Sequence, residues 1–271
     1  MNRLNKIGAV LAVISPAKNL DHTSPLVTAR YSQPEFLDDA EELIEQLQLL
    51  APEEIGELMN LSEKLSILNA NRYQNWRRPM TPADARPAIL AFNGDVYTGM
   101  DAKGFSDADF SYAQDHLRIL SGLYGLIKPL DLIQPYRLEM GTSLVTGRGA
   151  NLYAFWGDKI TQAVNNAVEQ QDCSVLINLA SSEYFKSIRL DRLNATVVTP
   201  KFKDEKNGRY KTISFFAKKA RGMMAAYLIK NRIESPQGLT GFCAAGYRFS
   251  EEESAENTPV FLRDETARKN V

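Results

Sequence analysis

Short continuous apolar runs alternate along this chain with amphipathic stretches, and the two patterns together predict a mixed α/β body. Residues 7–14, Ile-Gly-Ala-Val-Leu-Ala-Val-Ile, have the length and uniform apolarity of a strand covered on both faces. Residues 88–92 and 174–178 read in the same way. Polar residues follow each run at once: Ser15, Lys18, Asn19 and Asp21 after the first, Asn93, Asp95 and Tyr97 after the second, Ser181, Ser182 and Glu183 after the third. If the three strands are parallel neighbours, Lys18, Asp95, Ser181, Ser182 and Glu183 converge on one cleft at the carboxyl edge of the sheet, where α/β folds most often bind ligands. Thr98 and Gly99 read as a flexible connector.

Helical periodicity is clearest in residues 34–50, with Phe36, Leu37, Ile44, Leu47 and Leu50 on the inner stripe. Pro52 starts a second helix, which breaks near Asn60 and resumes through Leu61, Leu65 and Leu68. Tyr73 and Trp76 among Arg72, Arg77 and Arg78 suit either a helix end docked in the core or a surface that stacks on bases and contacts phosphate. Ser106-Asp-Ala-Asp has the form of a capping box and opens a helix leading to Leu117.

Leu117, Leu120, Leu123 and Tyr124 recur at helical spacing, so the helix is expected to end in a tight turn at Gly122 and Gly125. Exposed amides there, beside Lys128, would hold a phosphate. The run resembles the hairpin of helix-hairpin-helix modules, which grip DNA backbone without reading sequence. It departs from them in placing two residues between its glycines and in carrying Pro129. The plainer alternative is a buried, glycine-capped helix. Further on, Arg137 and Glu139 fall on one side of an extended segment, where they either pair or clamp a ligand. Residues 151–158 are rich in aromatics, with Trp156 read as core, and precede a helix through Ile160, Ala163, Val164 and Ala167.

Residues 196–203 and 209–215 flank Asn207-Gly208, the strongest short-range hairpin signal. Lys201, Lys203, Lys206, Arg209 and Lys211 make one face of that ribbon cationic. Residues 216–231 form a helix with Lys218, Lys219 and Arg221 off its apolar stripe. Leu239-Thr-Gly-Phe242 is a second fragment of the helix-hairpin-helix type, Tyr247 begins a strand, residues 251–257 form an acidic loop, residues 259–263 an edge strand, and 264–271 a flexible tail.

At 271 residues and 44% hydrophobic content, one large domain spanning 1–271 with a sizeable core is expected, with 1–6 as an N-terminal extension. The apolar run near the start is too short to cross a bilayer and no cleavage site follows it, so a cytoplasmic location and no membrane partner are expected. Cys173 and Cys243, His22 and His116 are the only cysteines and histidines, which disfavours a disulfide framework, a soft-ligand metal site and a thiol sensor. Neither metal nor cofactor is assigned. The net charge of −1 hides an asymmetry: ten acids and no Lys or Arg lie within 35–63, whereas ten Lys and Arg face only Asp204 and Glu205 within 201–232. The two segments either form opposite poles, the basic one suited to a polyanion, or neutralise each other.

Ile14-Ser-Pro-Ala-Lys18, Phe92-Asn-Gly-Asp-Val-Tyr-Thr-Gly99, Leu120-Ser-Gly-Leu-Tyr-Gly125, Gln134-Pro-Tyr-Arg-Leu-Glu-Met-Gly141, Phe155-Trp-Gly-Asp158, Asn178-Leu-Ala-Ser-Ser-Glu-Tyr-Phe185 and Asp204-Glu-Lys-Asn-Gly208 stand in order along the chain. Together they resemble the bacterial peroxide stress protein YaaA family. That resemblance implies a cytoplasmic protein protecting against hydrogen peroxide, associated with DNA binding and with limiting damage from intracellular iron. It also implies a mixed α/β body with a basic cleft and no common superfold. Two classes of function follow. A DNA-protection protein would contact double-stranded or branched DNA, without sequence preference, through Gly122, Gly125 and Lys128, the ribbon, and Lys218, Lys219 and Arg221. An enzyme acting on nucleic acid or a nucleotide would use Lys18, Asp95 and Glu183 as catalytic groups, with Ser15, Asn93, Arg137, Ser181 and Ser182 around them.

Overall fold

The chain's first strand, β1 (Val10–Ile14), is buried at every position, as its apolar run requires, and leads into the two-residue strand β2 (Asn19–Leu20). The computed structural model describes residues 9–269, so Ile7, Gly8 and the expected extension 1–6 lie outside the described residues. Three helices follow: α1 (Leu37–Gln48), α2 (Pro52–Met59) and α3 (Glu63–Asn75). Asn60, in the left-handed conformation at φ 51°, makes the expected break between the last two. Tyr73 and Trp76 at the end of α3 are buried, and the Trp76 indole N–H donates to the Tyr124 hydroxyl at 3.1 Å. The aromatics dock in the core rather than stack on a ligand.

Next come β3 (Arg86–Pro87), α4 (Ala88–Ala91), β4 (Phe92–Asn93) and α5 (Asp95–Met100). The expected strand over 88–92 is thus a helical turn between two short strands, because Ala-Ile-Leu-Ala favours helix and burial on every side imposes no period of two. The expected flexible connector at Thr98 and Gly99 is instead part of α5. Helix α6 (Asp107–His116) opens with the predicted capping box: Asp109 N–H donates to Ser106 Oγ at 3.2 Å and Ser106 N–H to Asp109 Oδ2 at 3.0 Å.

Residues 117–124 are not helical. They form β5 (Leu117–Ser121) and a tight turn into the antiparallel β6 (Gly125–Ile127), followed by β7 (Leu132–Ile133). All of 117–127 is buried, and a strand covered on both faces shows apolar residues at any spacing, including the helical one. Gly125 supplies φ +70° at the turn, and Ser121 Oγ accepts from Tyr124 N–H at 3.0 Å. The helix-hairpin-helix likeness fails here for that reason.

The remaining elements are α7 (Leu152–Trp156), α8 (Lys159–Gln170), β8 (Val175–Asn178), α9 (Ser182–Phe185), β9 (Thr196–Val198), β10 (Lys201–Lys206), β11 (Arg209–Lys211), α10 (Ser214–Lys230), β12 (Arg248–Ala255), β13 (Thr258–Arg263) and α11 (Glu265–Lys269). Asn207 and Gly208, at φ 55° and 70°, form the expected hairpin turn between β10 and β11. The segment 196–203 is split between two sheets at Pro200, and 236–241 is 3₁₀ helix rather than hairpin. The acidic residues of 251–255 lie in β12, an edge strand whose exposed side chains tolerate charge, and β13 is interior because β10 joins it in parallel. The expected flexible tail is α11 over most of its length, held by Arg268 Nη1 donating to Glu205 O at 3.0 Å; Asn270 and Val271 lie outside the described residues.

The main sheet runs β6-β5-β1-β8-β9, parallel except for β6, with α6 and α8 packed against it. The second sheet, β11-β10-β13-β12, covers an aromatic cluster in which Phe202 stacks on Phe261 at 5.5 Å. Helix α10 bridges β10 and α5. Buried apolar side chains form one continuous cluster from Val10 to Phe261. None of the ion pairs among the described residues joins the acidic segment 35–63 to the basic segment 201–232. Arg78, Arg148 and Lys159 serve Asp38, Asp39, Glu41 and Glu42 instead.

Candidate functional site

The carboxyl ends of β1 and β8, neighbours in the sheet, carry Ser15 and Ser181 into direct contact. Ser181 N–H donates to Ser15 Oγ at 2.8 Å, and the two hydroxyls are 3.3 Å apart. The buried Tyr97 hydroxyl donates to Ser15 O at 3.0 Å, tying α5 to the same point. Above this floor opens a cavity of about 500 Å³. Its walls are the 15–19 segment, the β4–α5 junction, the 136–139 strap, the start of α9 and one face of α10. The sequence expectation of convergence holds for Ser15, Lys18, Asn93, Asp95, Arg137, Ser181 and Glu183, all of which line the cavity, but not for Ser182. The second of the three expected strands, over 88–92, is absent from the main sheet. Asn93 and Asp95 arrive instead because β4 pairs antiparallel with β2, setting Asn93 opposite Asn19.

Much of the charge in the cleft is already paired. Arg137 Nη2 donates to Glu139 Oε1 at 3.0 Å and Lys18 Nζ sits 2.9 Å from Glu139 Oε2, so Arg137 and Glu139 form a closed pair rather than an open clamp. Glu183 Oε1 accepts from Gly141 N–H at 3.0 Å. The Asp95 side chain has no hydrogen-bond or ion-pair partner among the described residues.

Lys218 and Arg221, expected as part of a basic outer surface, line this cleft. They stand one turn apart on α10, and neither has a carboxylate partner among the described residues. Burial lowers the Arg221 pKa from its usual range, as expected of a guanidinium held out of water without an anion. What brings α10 here is a backbone contact that sequence periodicity does not show. A Cβ on Gly222 would lie 1.7 Å from Val96 O, and one on Gly99 would lie 2.0 Å from Lys219 O. The tyrosines at the base, Tyr97 and Tyr136, are pushed well up by burial and remain neutral phenols.

The other expected DNA contacts lie elsewhere. Gly122 and Gly125 are buried, Gly122 O accepts from the Trp156 indole, and a Cβ on Gly125 would meet the Trp156 ring at 2.8 Å. Their turn therefore offers no amides to a phosphate. Lys128 is exposed beside a separate polar recess with Arg118 and Asp131. On the ribbon, Lys203 pairs with Glu253 at 2.6 Å, while Lys201, Lys206, Arg209 and Lys211 are exposed and do not line the cleft. Lys219 is half-buried with its backbone against Gly99.

No three His, Cys, Asp or Glu residues among those described lie close enough to hold a metal ion. Burial pushes the Cys173 thiol up to about 11, and Cys243 is exposed. Among the described residues no helix is long and apolar enough to cross a membrane.

A family model described as peroxide stress protein YaaA matches residues 10–253 of this chain. A UPF0246 protein from Tolumonas auensis is 58% identical over 256 residues, covering 94% of this chain and 98% of that protein.

Proposed function

The chain belongs to the peroxide stress protein YaaA family, and from that premise we propose that it binds DNA through the cleft and thereby limits iron-dependent oxidative damage. The observation that carries this reading is the placement of Lys218 and Arg221 in the cleft without acid partners. A desolvated guanidinium is stabilised by an anion that shares its site, and the planar Arg fork suits a phosphate in particular. The exposed Lys201, Lys206, Arg209 and Lys211 lie outside the cleft on the β10–β11 ribbon, and under this reading they add positive charge that favours a long polyanion over a small one. Protein cations that neutralise DNA phosphates release the counterions condensed there, ferrous iron among them, so binding alone moves the metal away from the sugars it would oxidise.

DNA binding measured across a salt series tests this. Affinity is expected to fall steeply with salt and show little sequence preference. Lys218→Glu and Arg221→Glu should each weaken binding and lower the slope of log K against log salt by about 1 or more. The same variants should lose protection of plasmid DNA from nicking by ferrous iron and peroxide. Binding that ignores both charge reversals would overturn the assignment of the cleft.

A second reading, turnover of nucleic acid or a nucleotide, is favoured by one feature: Asp95 and Glu183 face the same space as Lys18. Under it, Asp95→Asn or Glu183→Gln abolishes turnover while folding persists. DNA, RNA and nucleoside phosphates all recovered unaltered, with and without a divalent metal, would rule that reading out.

A further inference from the structure

Asn19 and Asn93 are direct register partners across the β2–β4 pair, so their side chains project to the same side. Both are exposed and both line the cleft. Neither side-chain amide has a hydrogen-bond partner among the described residues. Each offers donors and an acceptor, the combination that pairs with the edge of a base. Two residues beyond Asn93, the equally unpartnered Asp95 adds a pure acceptor. The cations come from a different element, α10, through Arg221 and Lys218. The cleft thus carries two distinct kinds of recognition chemistry, phosphate-binding on the helix and amide hydrogen bonding on the β2–β4 pair. Its volume of about 500 Å³ is of the size that encloses one nucleotide rather than a base-paired duplex.

We infer that the cleft receives a single unpaired nucleotide, with its phosphate on Arg221 and Lys218 and its base edge on Asn19 and Asn93. This rests on the reading of the cleft as a DNA-binding site and narrows the DNA form to one presenting an extrahelical or single-stranded unit. Extrusion of a nucleotide costs least where the strand is already bulged, mismatched or frayed, so such sites are bound ahead of intact duplex. The same unit chemistry is found in a free nucleoside monophosphate.

The test uses the full-length protein with three probes: a duplex bearing 2-aminopurine in a one-nucleotide bulge, the same duplex fully paired, and deoxyadenosine monophosphate as competitor. The bulged duplex is expected to bind about tenfold tighter than the paired one, with a change in 2-aminopurine emission on binding. The double variant Asn19→Ala/Asn93→Ala should bring that ratio down to about one, and its thermal melt reports whether folding is kept. Equal affinity for bulged and paired duplex, unchanged in the Asn variant, overturns the single-nucleotide site and leaves DNA binding standing. Binding of the monophosphate but of neither duplex overturns the DNA reading and keeps the nucleotide site, with the free nucleotide as its ligand. Binding of none of the three overturns both.

Discussion

Gly222→Ala tests the contact on which the cleft's cations depend. The added Cβ would sit 1.7 Å from Val96 O, 2.7 Å from Val96 C and 2.8 Å from Met100 N, and all three are backbone atoms that cannot rotate aside. Ordinary contact begins near 3.4 Å, so α10 must retreat from α5 by about 1.7 Å. Overpacking of this kind costs about 3 kcal/mol, at the upper end of its usual range because no flexible side chain absorbs it. Alanine's better helix propensity returns about 1 kcal/mol. The net loss of about 2 kcal/mol should lower the melting temperature by about 4–8 °C. Lys218 and Arg221 precede Gly222 on the same helix, so under the proposed DNA-binding role DNA affinity should fall in parallel although no charge is removed. Gly147→Ala, where an added Cβ meets nothing within 4 Å, is the control and should melt within a degree or two of the parent. A Gly222→Ala protein that melts with the parent and binds DNA equally well would refute the view that this backbone contact positions the cleft.

The buried Asp131 carboxyl has its pKa raised from 3.8 to about 6, chiefly by burial, against hydrogen bonds from Ser32 Oγ and Lys128 N–H. Its stabilising contribution is complete below about pH 4 and is lost as pH rises through 6, a change of up to about 3 kcal/mol that Asp131→Asn should abolish in denaturant titrations at several pH values. His22 runs the other way: burial and then Arg86 depress its pKa to about 4, so its contribution is present above 6.5 and is lost on acidification, and the Asn variant should expose that opposite slope. In the second sheet, Asp204 is fully buried, lies 2.6 Å from Arg263 Nε and accepts from the Tyr247 hydroxyl at 2.8 Å. Asp204→Ala should cost about 3–5 kcal/mol in urea denaturation, because it leaves Arg263 buried and unpaired, while Asp204→Leu with Arg263→Met should recover much of the loss. A single variant as stable as the double one would contradict this.

The cleft was legible in the sequence as far as local rules reach. Apolar strands that end abruptly in polar residues mark the carboxyl edge of a sheet, and that pattern found Ser15 and Lys18 beyond β1 and Ser181 and Glu183 beyond β8. Local chemistry likewise marked the break at Asn60, the cap at Ser106 and the turn at Asn207-Gly208. Two of the misread segments lie where burial is complete. Residues 88–92 and 117–124 are buried at every position, so periodicity carries no information and only pairing in the fold decides between helix and strand.

The largest omission has a different cause. Lys218 and Arg221 read as part of an outer basic surface because off-stripe charges on a helix ordinarily face water. They face the cleft because a mid-helix glycine, Gly222, lets α10 rest directly on the backbone of α5, with Gly99 returning the contact. Glycine within a helix lowers its intrinsic stability by about 1 kcal/mol, so its presence at 222 points to close approach by another backbone. Val96 and Met100, which accept that approach, lie on the short helix that begins at Asp95. The contact that packs α10 therefore also sets its cations in the same cleft as the Asp95 carboxylate, with which they form no ion pair among the described residues, and the proposed nucleotide site rests on that arrangement.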